Sequence, residues 1–246
     1  VTFADRYMVL DAFNRVNPMR ADFDQMRDFY SGAQKMMSDP AVNTVFRFTA
    51  ADQQRYGNSG FGSSCIVARN LIAADLGTRY FQINIGGWDN HSNIYQANAG
   101  IYAPARQLDI GLGNLIADLA GTPGSTGRPL LDETLIVVKG EFGRTVGNLN
   151  GQQGRDHYGV HSTLFAGGGV LGGRAIGSTT ADGRFIERPD WSQDRPVGPE
   201  DIAATIYSAL GINYTTVRHD DPLGRGFEYV PPTASWPVYP VAELFR

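Results

Sequence analysis

The pattern that most restricts the fold runs from residue 79 to residue 138. The run Arg79-Tyr80-Phe81-Gln82-Ile83-Asn84-Ile85 reads as a strand, residues 96–119 as a helix, and the apolar run at 134–138 as a second, buried strand. Strand, long helix and strand in this order predict a right-handed crossover between parallel strands. Pro104 is expected to kink the helix or split it in two. The expected architecture is therefore one α/β domain: mainly helical over 1–77, a sheet core with its loops over 78–230, and a surface tail over 231–246.

Local signals fill in the rest. Residues 22–37 place Phe23, Met26, Phe29, Tyr30, Ala33, Met36 and Met37 close to a 3.6-residue period, and Asp39-Pro40 ends that helix. Thr49 is suited to cap a short helix at 50–56. A further helix is expected near 64–75, with Gly77 as its stop. After a strand at 162–166, two short β segments near 174–177 and 183–186 predict a hairpin. Residues 199–211 carry a proline in the first turn, early acids and a closing glycine, the pattern of a capped helix. Gly167-Gly168-Gly169-Val170-Leu171-Gly172 formally matches a dinucleotide fingerprint. That mechanism needs a helix to begin at the third glycine, and a β-like segment follows instead, so a tight turn is expected.

Two polar clusters follow the two strands. Trp88-Asp89-Asn90-His91 comes after the first, and Glu141-Phe142-Gly143-Arg144-Thr145, then Gly154-Arg155-Asp156-His157, after the second. Ligands of open α/β sheets bind beyond the carboxyl ends of strands. Asp89 and His91, two apart, face the same side of an extended chain, and this donor pair suits zinc, iron or manganese. If strand 162–166 runs antiparallel, its starting end brings His157, and with it His161, to Asp89, His91 and Glu141. A shared metal or anion site is the expectation. Asp156, next to His157, is expected to bond its other nitrogen or an arginine. Arg144 and Arg155 offer forked donors for phosphate, sulfate or carboxylate, or pair structurally with Glu141 and Asp156.

Composition excludes some functions. The net charge is −4 with no basic block, and the pI is near 5.5, so no nucleic-acid partner is expected. No apolar run approaches the roughly 20 residues of a transmembrane helix. Cys65 is the single cysteine and lies in an apolar helical segment, where it reads as a small buried hydrophobe.

These motifs resemble a bacterial family known as domain of unknown function 1501, itself related to the alkaline phosphatase and sulfatase superfamily. The matching stretches are Ala68-Arg69-Asn70-Leu71, Gly86 to His91, Glu141 to Thr145, Gly154 to His157, Ala166 to Gly173, Ile176 to Thr179 and Asp201 to Tyr207. The resemblance implies a three-layer α/β/α sandwich, alkaline-phosphatase-like, with a mostly parallel sheet. It implies a metal at Asp89, His91, Glu141 and His157, beside which the residues themselves suggest Asp156 and His161 as support and Arg144 and Arg155 toward the substrate. A divalent ion is implied, zinc first, with manganese, calcium or iron also compatible. It further implies export to the periplasm or beyond, and a nucleophile on an N-terminal strand not found before Asp89: either that strand lies upstream of Val1 or the chemistry is lost. Phe142 departs from the pattern by standing where the second loop would place a histidine.

Two functions are expected to compete. One is metal-dependent hydrolysis of a small anionic phosphate or sulfate ester. The other is a non-catalytic subunit that keeps the fold and binds a protein partner.

Overall fold

The computed structural model describes residues 2–16 and 20–245, without the side chains of 14 and 20–25, so Phe23 lies outside the described side chains. The chain divides into two compact units, residues 1–83 and 84–246.

The first unit is helical: α1 (Phe3–Arg15), α2 (Arg20–Ser38), α3 (Pro40–Val45), α4 (Ala50–Arg55) and α5 (Gly60–Ala74). Its caps follow the sequence. Asp39 accepts from the Ala41 N–H at the start of α3, and Thr49 and Asp52 form a reciprocal capping box on α4. Ser59 caps α5, which begins at Gly60, earlier than the sequence predicts, and ends at Asp75 in a left-handed conformation ahead of Gly77. Gly62 lets α5 approach α4 closely, since a Cβ there would lie 2.1 Å from the Tyr56 carbonyl oxygen. Cys65 is buried on α5 and burial pushes its thiol up to about 12, so it is an inert core residue.

The second unit holds α6 (Tyr102–Gly121), α7 (Pro199–Ala209) and eight short strands. These are β1 (Ile136–Val138), β2 (Gly143–Arg144), β3 (His157–Tyr158), β4 (Leu164–Ala166), β5 (Ser178–Thr179), β6 (Ile186–Arg188), β7 (Val217–Arg218) and β8 (Phe227–Glu228). They pair β1–β4, β2–β3, β5–β6 and β7–β8, each pair antiparallel.

This overturns the three-layer α/β/α sandwich with a mostly parallel sheet. The described residues contain seven α-helices and four two-stranded antiparallel sheets, with no extended parallel sheet. The physical reason lies in partner choice. Alternating apolar residues give 79–85 a strand-like pattern, but a sheet requires a ladder, and 79–85 joins none of the four. The second expected strand does form, as β1, yet its partner is β4 from the C-terminal side, with Val138 opposite Leu164. Helix α6 starts only at Tyr102, so Pro104 falls in its first turn, where its missing N–H costs nothing and no kink is needed. The glycine-rich segment opens no helix. A Cβ on Gly167 (φ +67°) would meet the Thr134 carbonyl oxygen at 2.3 Å, which restricts that position to glycine.

The tail is anchored to α7 through one buried carboxylate. Asp201 is 0% exposed. It takes a forked pair of bonds from Arg195 at 2.6 and 2.9 Å, plus the Gly198 and Tyr239 N–H groups at 2.8 and 3.0 Å. Arg195 lies 4.9 Å from the Trp191 ring and 5.1 Å from that of Trp236, and donates to the Pro237 carbonyl at 2.7 Å. Burial alone would push the Asp201 carboxyl up, but Arg195 and the two N–H groups outweigh it and hold the group below its ordinary value. A lowered folded-state value means that its stabilisation is complete above the unfolded value of about 3.9 and is lost as pH falls through the folded value. Asp201→Ala, which leaves Arg195 uncompensated, is expected to destabilise this unit by about 3–5 kcal/mol in urea unfolding. Asp201→Asn should flatten the loss of stability below about pH 4 that the native chain shows.

Candidate metal centre

Three short stretches build the site, all in the second unit. The first is the loop 88–95. The second is hairpin β2–β3, in which Arg144 pairs opposite His157. The third is the intervening loop 150–156, which bonds back to the first: the Asn93 and Ile94 N–H groups reach the Gln152 and Gln153 carbonyls, and the Arg155 N–H reaches the Asn90 carbonyl, each at 3.0 Å. Gly154 makes this docking possible, because a Cβ there would lie 2.0 Å from the His91 carbonyl carbon.

The docking brings three donor atoms into a small triangle. Asp89 Oδ1 lies 3.0 Å from His91 Nε2 and 3.2 Å from His157 Nε2, and the two imidazole nitrogens are 3.1 Å apart. Zinc bonds of 2.0–2.1 Å at tetrahedral angles place neighbouring ligand atoms roughly 3.3 Å apart, so the triangle is close to one face of such a polyhedron. Asp89, His91 and His157 form the group able to hold a metal ion among the described residues.

Protonation supports the fit. Asp156 Oδ1 lies 2.8 Å from His91 Nδ1 and, as a carboxylate, accepts the proton there. With a proton held on Nδ1, His91 can offer Nε2, 3.0 Å from Asp89 Oδ1, as the ligating atom. A proton on His157 Nε2 can bridge that pair, whereas a cation serves all three lone pairs at once. Arg144 first, then His157, holds the Asp89 carboxyl below its usual range, with Arg144 Nη1 at 2.8 Å. His91 first, then Asn150, does the same for Asp156. Both carboxylates are therefore charged near neutral pH, as ligation requires. The side chains remain open to solvent, at 68% exposure for Asp89, 41% for His91 and 53% for His157. Three protein ligands with an accessible further position characterise catalytic rather than structural zinc sites.

The geometry redistributes several expected roles. Asp156 bonds His91, not His157, so the consecutive residues Asp156 and His157 reach the two nitrogens of one imidazole. Arg144 pairs with Asp89 and not with Glu141. Arg155 donates to the Tyr95 hydroxyl at 3.1 Å and the Thr145 carbonyl at 2.6 Å, and so ties loops together. Glu141 is exposed and stands outside the metal-competent group, and His161 turns to the Gly159 carbonyl at 3.3 Å. Phe142 packs against His157 with the rings tilted by 38° and their centres 4.2 Å apart, and carries the Arg144 guanidinium at 5.5 Å. Sequence reasoning missed Asn150, Tyr95 and Thr145. Only the run of turn-forming residues around Asn150 hinted at an ordered loop.

Two substitutions separate the ligands from their support. Asp156→Asn is expected to raise the zinc dissociation constant about 10–100-fold, read by calorimetry, through loss of the carboxylate behind His91. Gly154→Ala should abolish zinc binding while leaving far-ultraviolet circular dichroism unchanged, because the added methyl forces the two loops apart.

No curated protein and no solved structure matches the chain. The family described as protein of unknown function (DUF1501) matches residues 3–231. A match over nearly the whole length, including every residue of the donor triangle, shows that the chain belongs to the DUF1501 family.

Proposed function

We propose that this chain binds one divalent cation, zinc by preference, and hydrolyses a small anionic ester of phosphate or sulfate. The observation that carries the reading is the solvent-open triangle of Asp89 Oδ1, His91 Nε2 and His157 Nε2 with edges of 3.0–3.2 Å. Two imidazoles and a carboxylate also suit iron(II), so the donor set ranks metals without selecting one outright. A bound divalent ion would supply Lewis acidity and an activated water, so no side-chain nucleophile is required. Asp89, His91 and His157 would hold it. Arg144, already beside Asp89, would balance the negative charge of an arriving ester group. Asp156 keeps His91 in the tautomer that leaves Nε2 free to ligate. Export to the periplasm or beyond belongs to the same reading and rests on the family resemblance.

Metal analysis of the purified full chain after zinc loading, alongside hydrolysis of nitrophenyl phosphate and nitrophenyl sulfate, tests this. One zinc per chain is expected, lost in Asp89→Ala and His157→Ala together with turnover. Absence of bound metal in the native chain would overturn the proposal.

One observation favours the second reading, a non-catalytic binding subunit. The Phe142 ring covers one flank of His157, and Arg155 is committed to Tyr95 and Thr145. On that reading zinc binds with no turnover of either ester, and His157→Ala leaves the capture of a protein partner unchanged.

A further inference from the structure

Asn150 bonds both the backbone and the support of His91. Its Nδ2 donates to the His91 carbonyl and to Asp156 Oδ1, each at 3.1 Å. Its Oδ1 accepts the Gln152 and Gly154 N–H groups at 3.0 and 2.9 Å. Both amide protons and both acceptor sites of the side chain are thus used. Only one orientation of the amide satisfies this network, since the reverse would aim the oxygen at a carbonyl and a carboxylate. The accepting half builds the turn that presents Gly154. The donating half reaches across to residue 91, 59 positions away.

We propose that Asn150 is a positioning residue for the metal centre: it holds Asp156 so that this carboxylate accepts the Nδ1 proton of His91 and leaves Nε2 ready to ligate. The inference rests on the reading of Asp89, His91 and His157 as ligands, but its first consequence concerns the metal-free protein. An Asp156 carboxylate fixed by Asn150 keeps the His91 proton on Nδ1. Without that donor, Asp156 is free to rotate, and His91 loses the bond that selects its tautomer and ring orientation.

Asn150→Asp isolates this role. An aspartate at 150 still accepts the Gln152 and Gly154 N–H groups, so the turn survives. It loses both donated bonds and sets a second carboxylate against Asp156. If Asn150 served only the turn, the substitution would change nothing at His91.

The test pairs nitrogen-15 imidazole spectra of the metal-free full chain with zinc titration. In the native protein His91 is expected to show an Nδ1–H hydrogen-bonded to Asp156, and in Asn150→Asp that bonded signal is expected to be lost from part of the population. The zinc dissociation constant should rise at least about tenfold in Asn150→Asp. In an Asp156→Asn background the same change should add less than about threefold, because the amide at 156 can donate to the carboxylate at 150. A native His91 with no proton on Nδ1, an unchanged Nδ1–H signal in Asn150→Asp, or full additivity of the two substitutions would each overturn the inference. If the native chain binds no zinc, the metal reading fails, while the tautomer comparison still decides the role of Asn150.

Discussion

The arrangement of the site depends on the contact between loop 150–156 and the backbone of His91. A two-stranded ladder as short as β2–β3 is marginal by itself, yet it must keep Arg144 opposite His157. What braces it is the approach of Gly154 to the His91 backbone, with the Arg155 N–H on the Asn90 carbonyl and the Ser92–Gln153 bridge beside it. Once that docking is made, adjacent residues fall on opposite edges of the His91 ring. Asp156 meets Nδ1 and His157 meets Nε2. An extended chain sends neighbouring side chains to opposite sides, and here the imidazole is wide enough to be held from both.

Charge balance follows from the same docking. The network contains two carboxylates, Asp89 and Asp156, and two guanidinium groups, Arg144 and Arg155. These charges cancel. On the proposed reading a divalent ion bound there would leave the centre positive, and the ion and Arg144 together would attract an anionic ester. Arg144 does this at 2.8 Å from the ligand oxygen itself. It keeps Asp89 ionised without pairing through both of its oxygens, and that matters because a carboxylate fully engaged by a guanidinium is a poorer ligand.

Local features of the chain were legible where the cause was local. Thr49, and Pro199 with its following acids, each specify a helix start through a residue within three positions, and those helices begin there, whereas the Ser59 cap that starts α5 was not read. The sequence grouped Asp89, His91, Glu141 and His157 by residue type, and the structure brings three of these together and leaves Glu141 outside. Pairing was not legible. Residues 79–85 alternate as a strand should, but alternation names neither a partner nor a direction. The resulting picture of a parallel sheet therefore failed, although β1 and β4 formed. The partner of Asp156 was missed for a related reason: its bond to His91 spans 65 positions. Asn150 was invisible because an asparagine in a glycine-rich loop reads as a turn former, and its second pair of bonds is long-range.

Long-range closure also explains how so small a sheet content can support a defined site. The contacts linking Asp89 and His91 to Asp156 and His157 each close a loop of 65–68 residues. Closing a flexible loop of that length is costly in chain entropy, and each contact after the first is made at little further cost. The hydrogen bonds of Asn150, Arg155 and Asp156 to residues 90 and 91 close it without an ion, so an ion would meet its three ligand atoms already grouped. An ion that bridges residues 89, 91 and 157 then acts as a clip across the same closure and shifts the folding equilibrium toward the docked loops by mass action. If the proposed ion binds, its binding and the integrity of the loop 150–156 form one equilibrium, and support that acts on the loop acts on the metal.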